Sequence, residues 1–208
     1  MLPVIVGLDG FTLSHTLENV DVLPDDKVLE FVGIRELPNV LTHEGKTVPF
    51  KLDPDNPMTM GPIALQNYYF EFKRQQEEAM KNALHLIKEV NNAYSKISGR
   101  SYGDGLIDAY RLEDADVATV CVGSTAGTIK ATVDELRQEG FKVGLLRLRT
   151  FRPLPIEGLR SALQNVKVVG VMDKSMSFGG EGGAVFHEVR HALYDAEQHP
   201  QVVNYIYG

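Results

Sequence analysis

Apolar residues recur at three- and four-residue steps after Phe70, at Met80, Leu84, Ile87, Val90, Tyr94 and Ile97. That is the spacing of one helix face, and Gly99 supplies a C-terminal stop. Glu77 and Lys81 stand four apart, a favourable pair that marks the opposite face as solvated. Beyond this long helix the pattern alternates between continuous apolar runs and helical spacing. VATVCVG (117–123) reads as a strand, Ile129, Val133 and Leu136 as a helix stopped by Gly140, and KVGLLRLR (142–149) as a second strand. Pro155 opens a short helix carrying Leu159 and Leu163; VKVVGVMD (166–173), a helix from about Gly183 to Ala196, and VVNYIY (202–207) follow. Strands separated by single helices predict parallel pairing with right-handed crossovers, hence an α/β three-layer sandwich with a mostly parallel sheet.

The N-terminal third differs. Pro3 to Asp9 is strand-like, whereas residues 34–69 contain Pro38, Pro49, Pro54, Pro57 and Pro62 with little periodicity. An extended linker over 36–69 is expected there.

The 208 residues are 43% hydrophobic and 24% charged, the balance of a globular protein with a real core. A formal net charge of -7 argues against nucleic acid or an anionic membrane as the main partner. One cysteine, Cys121, lies within a strand-like run, so no disulfide framework, cysteine-based zinc site or iron–sulfur cluster can be built from this chain alone. No uncharged apolar stretch of about 18 residues and no signal-peptide pattern is present, and the expectation is a soluble cytoplasmic protein.

In such sheets ligands gather at the carboxyl ends of the strands, which points to the loops 123–127, 150–155 and 174–183. In GSTAG, the backbone around Gly123 and the hydroxyls of Ser124 and Thr125 are candidate anion-binding groups, with simple helix capping by either hydroxyl as the alternative. Arg147 and Arg149 lie two apart, on one sheet face, and Arg152 follows in the loop. These guanidiniums are candidates for a phosphate, a carboxylate or an acidic partner, against local pairing with a carboxylate such as Glu139 or Asp173.

GGEGGAVFHEVRH (179–191) combines two patterns. As a dinucleotide fingerprint it fails at Val185, and its glycines are read as turn formers that let a helix approach the sheet. Its second half satisfies H-E-x-x-H with His187 and His191 on one face and Val185, Val189, Ala192 and Leu193 on the core side. Neither Tyr194 nor Glu197 completes a zinc-protease pattern, so coincidence is preferred and no metal site is expected. His15, His43, His85 and His199 show no mutual spacing that makes a site, and a triad from Asp9, Ser14 and His15 is discounted because adjacent residues seldom face one another.

The segments PVIVGLDGFTLSHT, YYFEFKRQQEEAM, GRSYGDGLIDAYRLEDADVATVCVGSTAGTIK, EGFKVGLLRLRTFRPLP and VMDKSMSFGGEGG, in that order, resemble the second half of the alpha subunit of pyruvate:ferredoxin oxidoreductase. The family comprises the thiamine-diphosphate-dependent 2-oxoacid:ferredoxin oxidoreductases. The resemblance implies oxidative decarboxylation of a 2-oxoacid with coenzyme A, pyruvate first and 2-oxoisovalerate or another 2-oxoacid second, with electrons passing through iron–sulfur clusters to ferredoxin. It implies that residues 1–35 are the incomplete tail of a pyrimidine-binding-type domain and that 70–208 hold the long helix and a domain similar to the transketolase C-terminal domain. A fragment or split subunit is therefore expected, inactive alone, with no catalytic residue assignable. Thiamine diphosphate with magnesium and the clusters are expected in a complete complex with beta, gamma and delta-type subunits, none of them bound by this chain alone. A non-catalytic assembly module of such a complex is the other reading.

Overall fold

The structure is a computed structural model describing residues 2–33, 36–42, 44–57, 61 and 63–208. His43 and Pro62, named above, lie outside the described residues. The chain divides into two compact units, residues 1–20 with 79–208, and residues 21–78.

The smaller unit begins with helix α1 (Asp25–Val32), which opens with Asp25 and Asp26 at the positive end of its dipole. It stops at Gly33, whose φ of +68° few other residues adopt, and whose N–H donates to the Leu29 carbonyl. A hairpin of β1 (Asn39–Leu41) and β2 (Thr47–Pro49) follows, antiparallel with Val40 opposite Val48. Within the expected linker there is thus a paired element, because cross-strand pairing of two valines needs no long-range periodicity.

Helix α2 (Tyr69–Ser98) has the predicted extent and ends at Gly99, where φ is +68°. Met80, Leu84, Ile87, Tyr94 and Ile97 are half-buried, while Val90 is exposed and Asn91 takes its place in the stripe. The Asn91 side chain donates to the Gly103 carbonyl, so a polar contact completes this face of the helix. Pro3 to Asp9 forms no strand: Val4, Ile5 and Val6 are 83%, 97% and 81% exposed, and no described strand pairs with them. Apolar, β-branched composition marks a preference, but a strand exists only where a partner completes its ladder.

The remainder is built from β3 (Ile107–Tyr110), β4 (Val117–Cys121), α3 (Thr125–Gln138), β5 (Val143–Leu148), α4 (Ile156–Leu163), β6 (Val168–Asp173), α5 (Ala184–Leu193) and β7 (Gln201–Ile206). They form a five-stranded sheet in the order β3-β5-β4-β6-β7, parallel except for β3, which runs antiparallel along β5 with Asp108 opposite Arg147. β3 had no periodic signal: only four residues long, it is an edge strand defined by its partner. One face buries Val120, Leu146, Leu148, Val169 and Val171 against Leu159 and Leu163 of α4 and Val185, Val189 and Leu193 of α5. On the other, Cys121 and Leu145 pack against Ala126 and Val133 of α3. Helices cover both faces, so the three-layer α/β sandwich with a mostly parallel sheet is what the chain forms.

From the edge strand β3 the chain crosses to β4, moves out to β5, then returns past β4 to β6. The helices after β4 and β6 therefore leave on opposite faces, opening a crevice at the carboxyl ends of these two neighbouring strands.

Candidate functional site

The crevice is furnished by the loop after β4, the loop after β6 and the N-terminal segment. Asp9 of that segment reaches into it. Its carboxylate accepts from the backbone N–H of Ser124, the residue just before α3, and lies 3.4 Å from Lys174 Nζ at the end of β6. Hydrogen bonding from the Ser124 side chain and N–H, and then the charge of Lys174, hold the Asp9 carboxyl below the usual aspartate range. Gly123, with φ +71°, makes the approach possible: a Cβ there would stand 2.5 Å from an Asp9 carboxylate oxygen. The candidate anion-binding groups of GSTAG thus already face an anion supplied by the same chain. Neither Ser124 nor Thr125 caps α3 with its hydroxyl; the Thr125 hydroxyl instead meets the Tyr207 hydroxyl at 2.5 Å.

A second carboxylate stands at the start of α5. Asp173 shares a face of β6 with the buried Val169 and Val171, and is itself 3% exposed. It accepts from the N–H groups of Val185 at 2.9 Å and Phe186 at 3.1 Å, and from Asn204 Nδ2 at 3.0 Å. These are the second and third residues of α5, the donors a side chain at the cap position would normally satisfy. Gly183 occupies the cap position, and a Cβ on it would fall 2.1 Å from Asp173 Cγ. The glycine loop is therefore shaped to admit an internal carboxylate. Its N–H donates to Asn204 Oδ1, leaving Gly183 paired as well.

The three arginines separate. Arg147 alternates onto the α3 face with Leu145 and Arg149 directly follows the end of β5, whereas Arg152 pairs with Glu188 of α5 across the other face. Its partner is neither Glu139 nor Asp173. That same Glu188 is the glutamate of the H-E-x-x-H pattern; His187 and His191 are exposed, and among the described residues no group of three or more His, Cys, Asp or Glu is placed to hold a metal ion. Val185, Val189, Ala192 and Leu193 are buried as the helix pattern requires, with Phe186 beside them. Ser14 Oγ and His15 Nδ1 are 2.7 Å apart, but Asp9 faces Ser124 and Lys174, so no triad forms. Burial pushes the Cys121 thiol up to about 11, which keeps it a protonated core residue at neutral pH.

Sequence reasoning missed the roles of Asp9 and Asp173. The available signal for the latter was a carboxylate ending an apolar strand before a helix whose cap position is glycine. For Asp9 no local signal exists, because its partner is 115 residues away.

With this geometry in hand, the class of protein is defined by two family matches. Residues 1–92 match the pyruvate flavodoxin/ferredoxin oxidoreductase thiamine-diphosphate-binding domain, and residues 115–208 match pyruvate:ferredoxin oxidoreductase core domain II. The chain belongs to the pyruvate:ferredoxin oxidoreductase family, a family of oxidoreductases. Among its relatives, the pyruvate synthase subunit PorA of Thermotoga maritima is 44% identical over 207 residues, covering 100% of this chain and 50% of that protein. The alpha subunit of NADH-dependent phenylglyoxylate dehydrogenase from Aromatoleum evansii is 38% identical, covering 100% and 49%. The chain spans about half the length of the curated relatives it matches. Among solved structures, a split-gene transketolase, 21% identical, aligns at a TM-score of 0.37 over 44% of this chain and 29% of that one.

The donors present do not fit the iron–sulfur cluster or the magnesium that the sequence resemblance implies. One buried cysteine cannot hold an iron–sulfur cluster. The carboxylates at the crevice are engaged with helix N–H groups and Lys174, away from any metal-binding arrangement among the described residues. No step of a thiamine-dependent reaction is assigned to this chain's own side chains.

Proposed function

We propose that the chain is a component of a thiamine-diphosphate-dependent 2-oxoacid:ferredoxin oxidoreductase that converts pyruvate and coenzyme A to acetyl-CoA and carbon dioxide, the two electrons released passing to ferredoxin. The observation that carries this reading is the 44% identity, along the whole chain, to a pyruvate synthase subunit. Thiamine diphosphate, magnesium and the iron–sulfur clusters then reside in the complete complex, on beta, gamma and delta-type subunits and on the part of an alpha subunit that these 208 residues do not span. In this scheme residues 1–35 are the tail of the pyrimidine-binding domain, 36–69 connect it, and 70–208 carry the helix and the transketolase-C-like domain. The match to the thiamine-diphosphate-binding domain supports the first assignment, and it runs on to residue 92. The complex operates in the cytoplasm; no described helix is long and apolar enough to cross a membrane.

The alternative is a different 2-oxoacid, 2-oxoisovalerate included. A phenylglyoxylate enzyme's subunit is 38% identical while one pyruvate synthase subunit is 36%, so similarity over this region does not separate substrates. Affinity purification from the native host tests the whole reading. Pyruvate- and coenzyme A-dependent viologen reduction by the purified assembly is the expected result, with 2-oxoisovalerate and phenylglyoxylate as comparison substrates. Recovery of the chain with no iron–sulfur or thiamine-containing partner would overturn it. Turnover by the complex after this chain is removed would favour the assembly-module reading instead.

A further inference from the structure

Most cations of the α/β domain are matched to carboxylates. Arg111 meets Asp134 at 2.8 Å, Lys130 meets Asp108 at 2.9 Å, Arg137 meets Asp114 at 2.7 Å, and Lys167 meets Asp116 at 2.8 Å. Arg152 takes Glu188 and Lys174 takes Asp9. Arg147 and Arg149, like Lys142 and Arg190, have no carboxylate within ion-pair distance among the described residues, and they are the two that stand two positions apart in sequence. The carboxylate opposite Arg147 in the β3–β5 register, Asp108, is held by Lys130. Desolvation, and then the like charge of Arg147, hold the pKa of the exposed Arg149 below the usual arginine value, against the opposing charge of Asp108. Arg147 is in β5 and Arg149 directly follows its last residue, a spacing that in extended backbone amounts to about 7 Å, within reach of one common ligand. Arg149 is further fixed by stacking, its guanidinium carbon 5.0 Å from the centre of the Tyr102 ring.

We propose that Arg147 and Arg149 form a binding site for a phosphate monoester dianion at the carboxyl end of β5, on the α3 face. Two planar guanidiniums present paired donors that match phosphate oxygens, and a group carrying about -1.5 to -2 charges neutralises both at once, which a single carboxylate does not. Arg152 is excluded from the site by its contact with α5, and the Gly123–Thr125 turn by the Asp9 carboxylate. The assignment goes beyond the proposed reaction and holds whether or not the complex acts on pyruvate.

Titration of the 208-residue chain with inorganic phosphate at constant ionic strength, followed by NMR shifts of the arginine side chains, tests it. Saturable binding at millimolar phosphate is expected, weakened at least ~10-fold in Arg149→Glu and in the milder Arg147→Gln, and unchanged in Arg152→Gln. Parallel titrations with coenzyme A and with dephospho-coenzyme A identify the source. Arginine-dependent binding of the first alone assigns the site to a coenzyme's 3′-phosphate, and binding of inorganic phosphate alone assigns it to free phosphate. Absence of saturation to about 10 mM phosphate, or equal binding by the folded variants, overturns the proposal. So does a partner subunit lost from Arg149→Glu in a chain that binds no phosphate, since the pair then serves a protein contact.

Discussion

The N-termini of α3 and α5 are both completed by carboxylates that are not their own cap residues, yet the two are built differently. At α5 the carboxylate is Asp173, delivered by the preceding strand and buried with the core valines of β6. At α3 it is Asp9, delivered by a segment whose apolar residues are largely exposed. Both turns place a glycine where any Cβ would collide with the carboxylate, Gly183 in one and Gly123 in the other. The shared device teaches that a glycine-rich strand-to-helix turn can be a socket for an internal anion. The difference teaches that one socket belongs to the folding core and the other joins two stretches of chain. Asp173 and α5 lie within the core domain II match, whereas Asp9 lies in the thiamine-diphosphate-binding match and Ser124 in core domain II.

The comparison breaks most readily at Asp173. Asp173→Ala leaves two helix N–H groups and one N–H of the Asn204 amide, whose other bond to the Val171 carbonyl remains, without their acceptor in a site closed to water, and about 3 kcal/mol of global stability is expected to go. Urea unfolding followed by circular dichroism measures this; a loss below about 0.5 kcal/mol would show that the carboxylate is not what completes α5. Gly183→Ala attacks the same socket sterically. Its φ of -92° suits any residue, so the expected loss of about 1–3 kcal/mol arises from the clash with Asp173 alone. The double variant Gly183→Ala, Asp173→Ala should then lose less than the sum of the two.

Asp9→Ala is expected to act locally, costing about 1 kcal/mol at the α3 terminus and leaving the unfolding midpoint of the domain nearly unchanged. Faster proteolysis and hydrogen exchange confined to residues 2–20 would be its signature. The contact also has a pH dependence. With the folded carboxyl below its ordinary value of about 3.9, its stabilisation is present in full above that value and is lost as pH falls through the lowered folded value. Protection of the N-terminal segment should thus persist from neutral pH to about pH 4 and disappear only below it. Release near pH 6 would assign the contact to another group.

How much of this was legible follows from how far each cause lies along the chain. The helices and parallel strands carry their own periodicity, and the core faces of α4 and α5 fall on the residues that periodicity selects, Leu159, Leu163, Val189 and Leu193. β3 and the β1–β2 hairpin were not legible, being three or four residues long and defined by pairing. Pro3 to Asp9 misled in the opposite sense, since its apolar composition has no partner strand to act on. The glycines of the 179–183 loop were legible as agents of close approach, though what approaches is Asp173 and not only the sheet. Asp9 required the tertiary structure, because nothing around Gly123 records a residue so distant in sequence.

The smallest expected effect bears on whether the two helix termini are independent. Tyr207 touches both: its N–H donates to the Asp173 carbonyl at 3.0 Å, its hydroxyl meets Thr125 in the first turn of α3, and Lys174, the partner of Asp9, lies 5.7 Å from its ring centre. Tyr207→Phe keeps the backbone bond and the ring and removes only the hydroxyl, so a loss of about 0.5–1 kcal/mol is expected. Combined with Asp9→Ala it forms a double-mutant cycle. Coupling above about 0.5 kcal/mol would show that Asp9, Lys174, Tyr207 and Thr125 act as one network across the crevice. Additive losses would show two separate sockets, one in the core and one detachable, which is what the burial of Asp173 and the exposure around Asp9 favour.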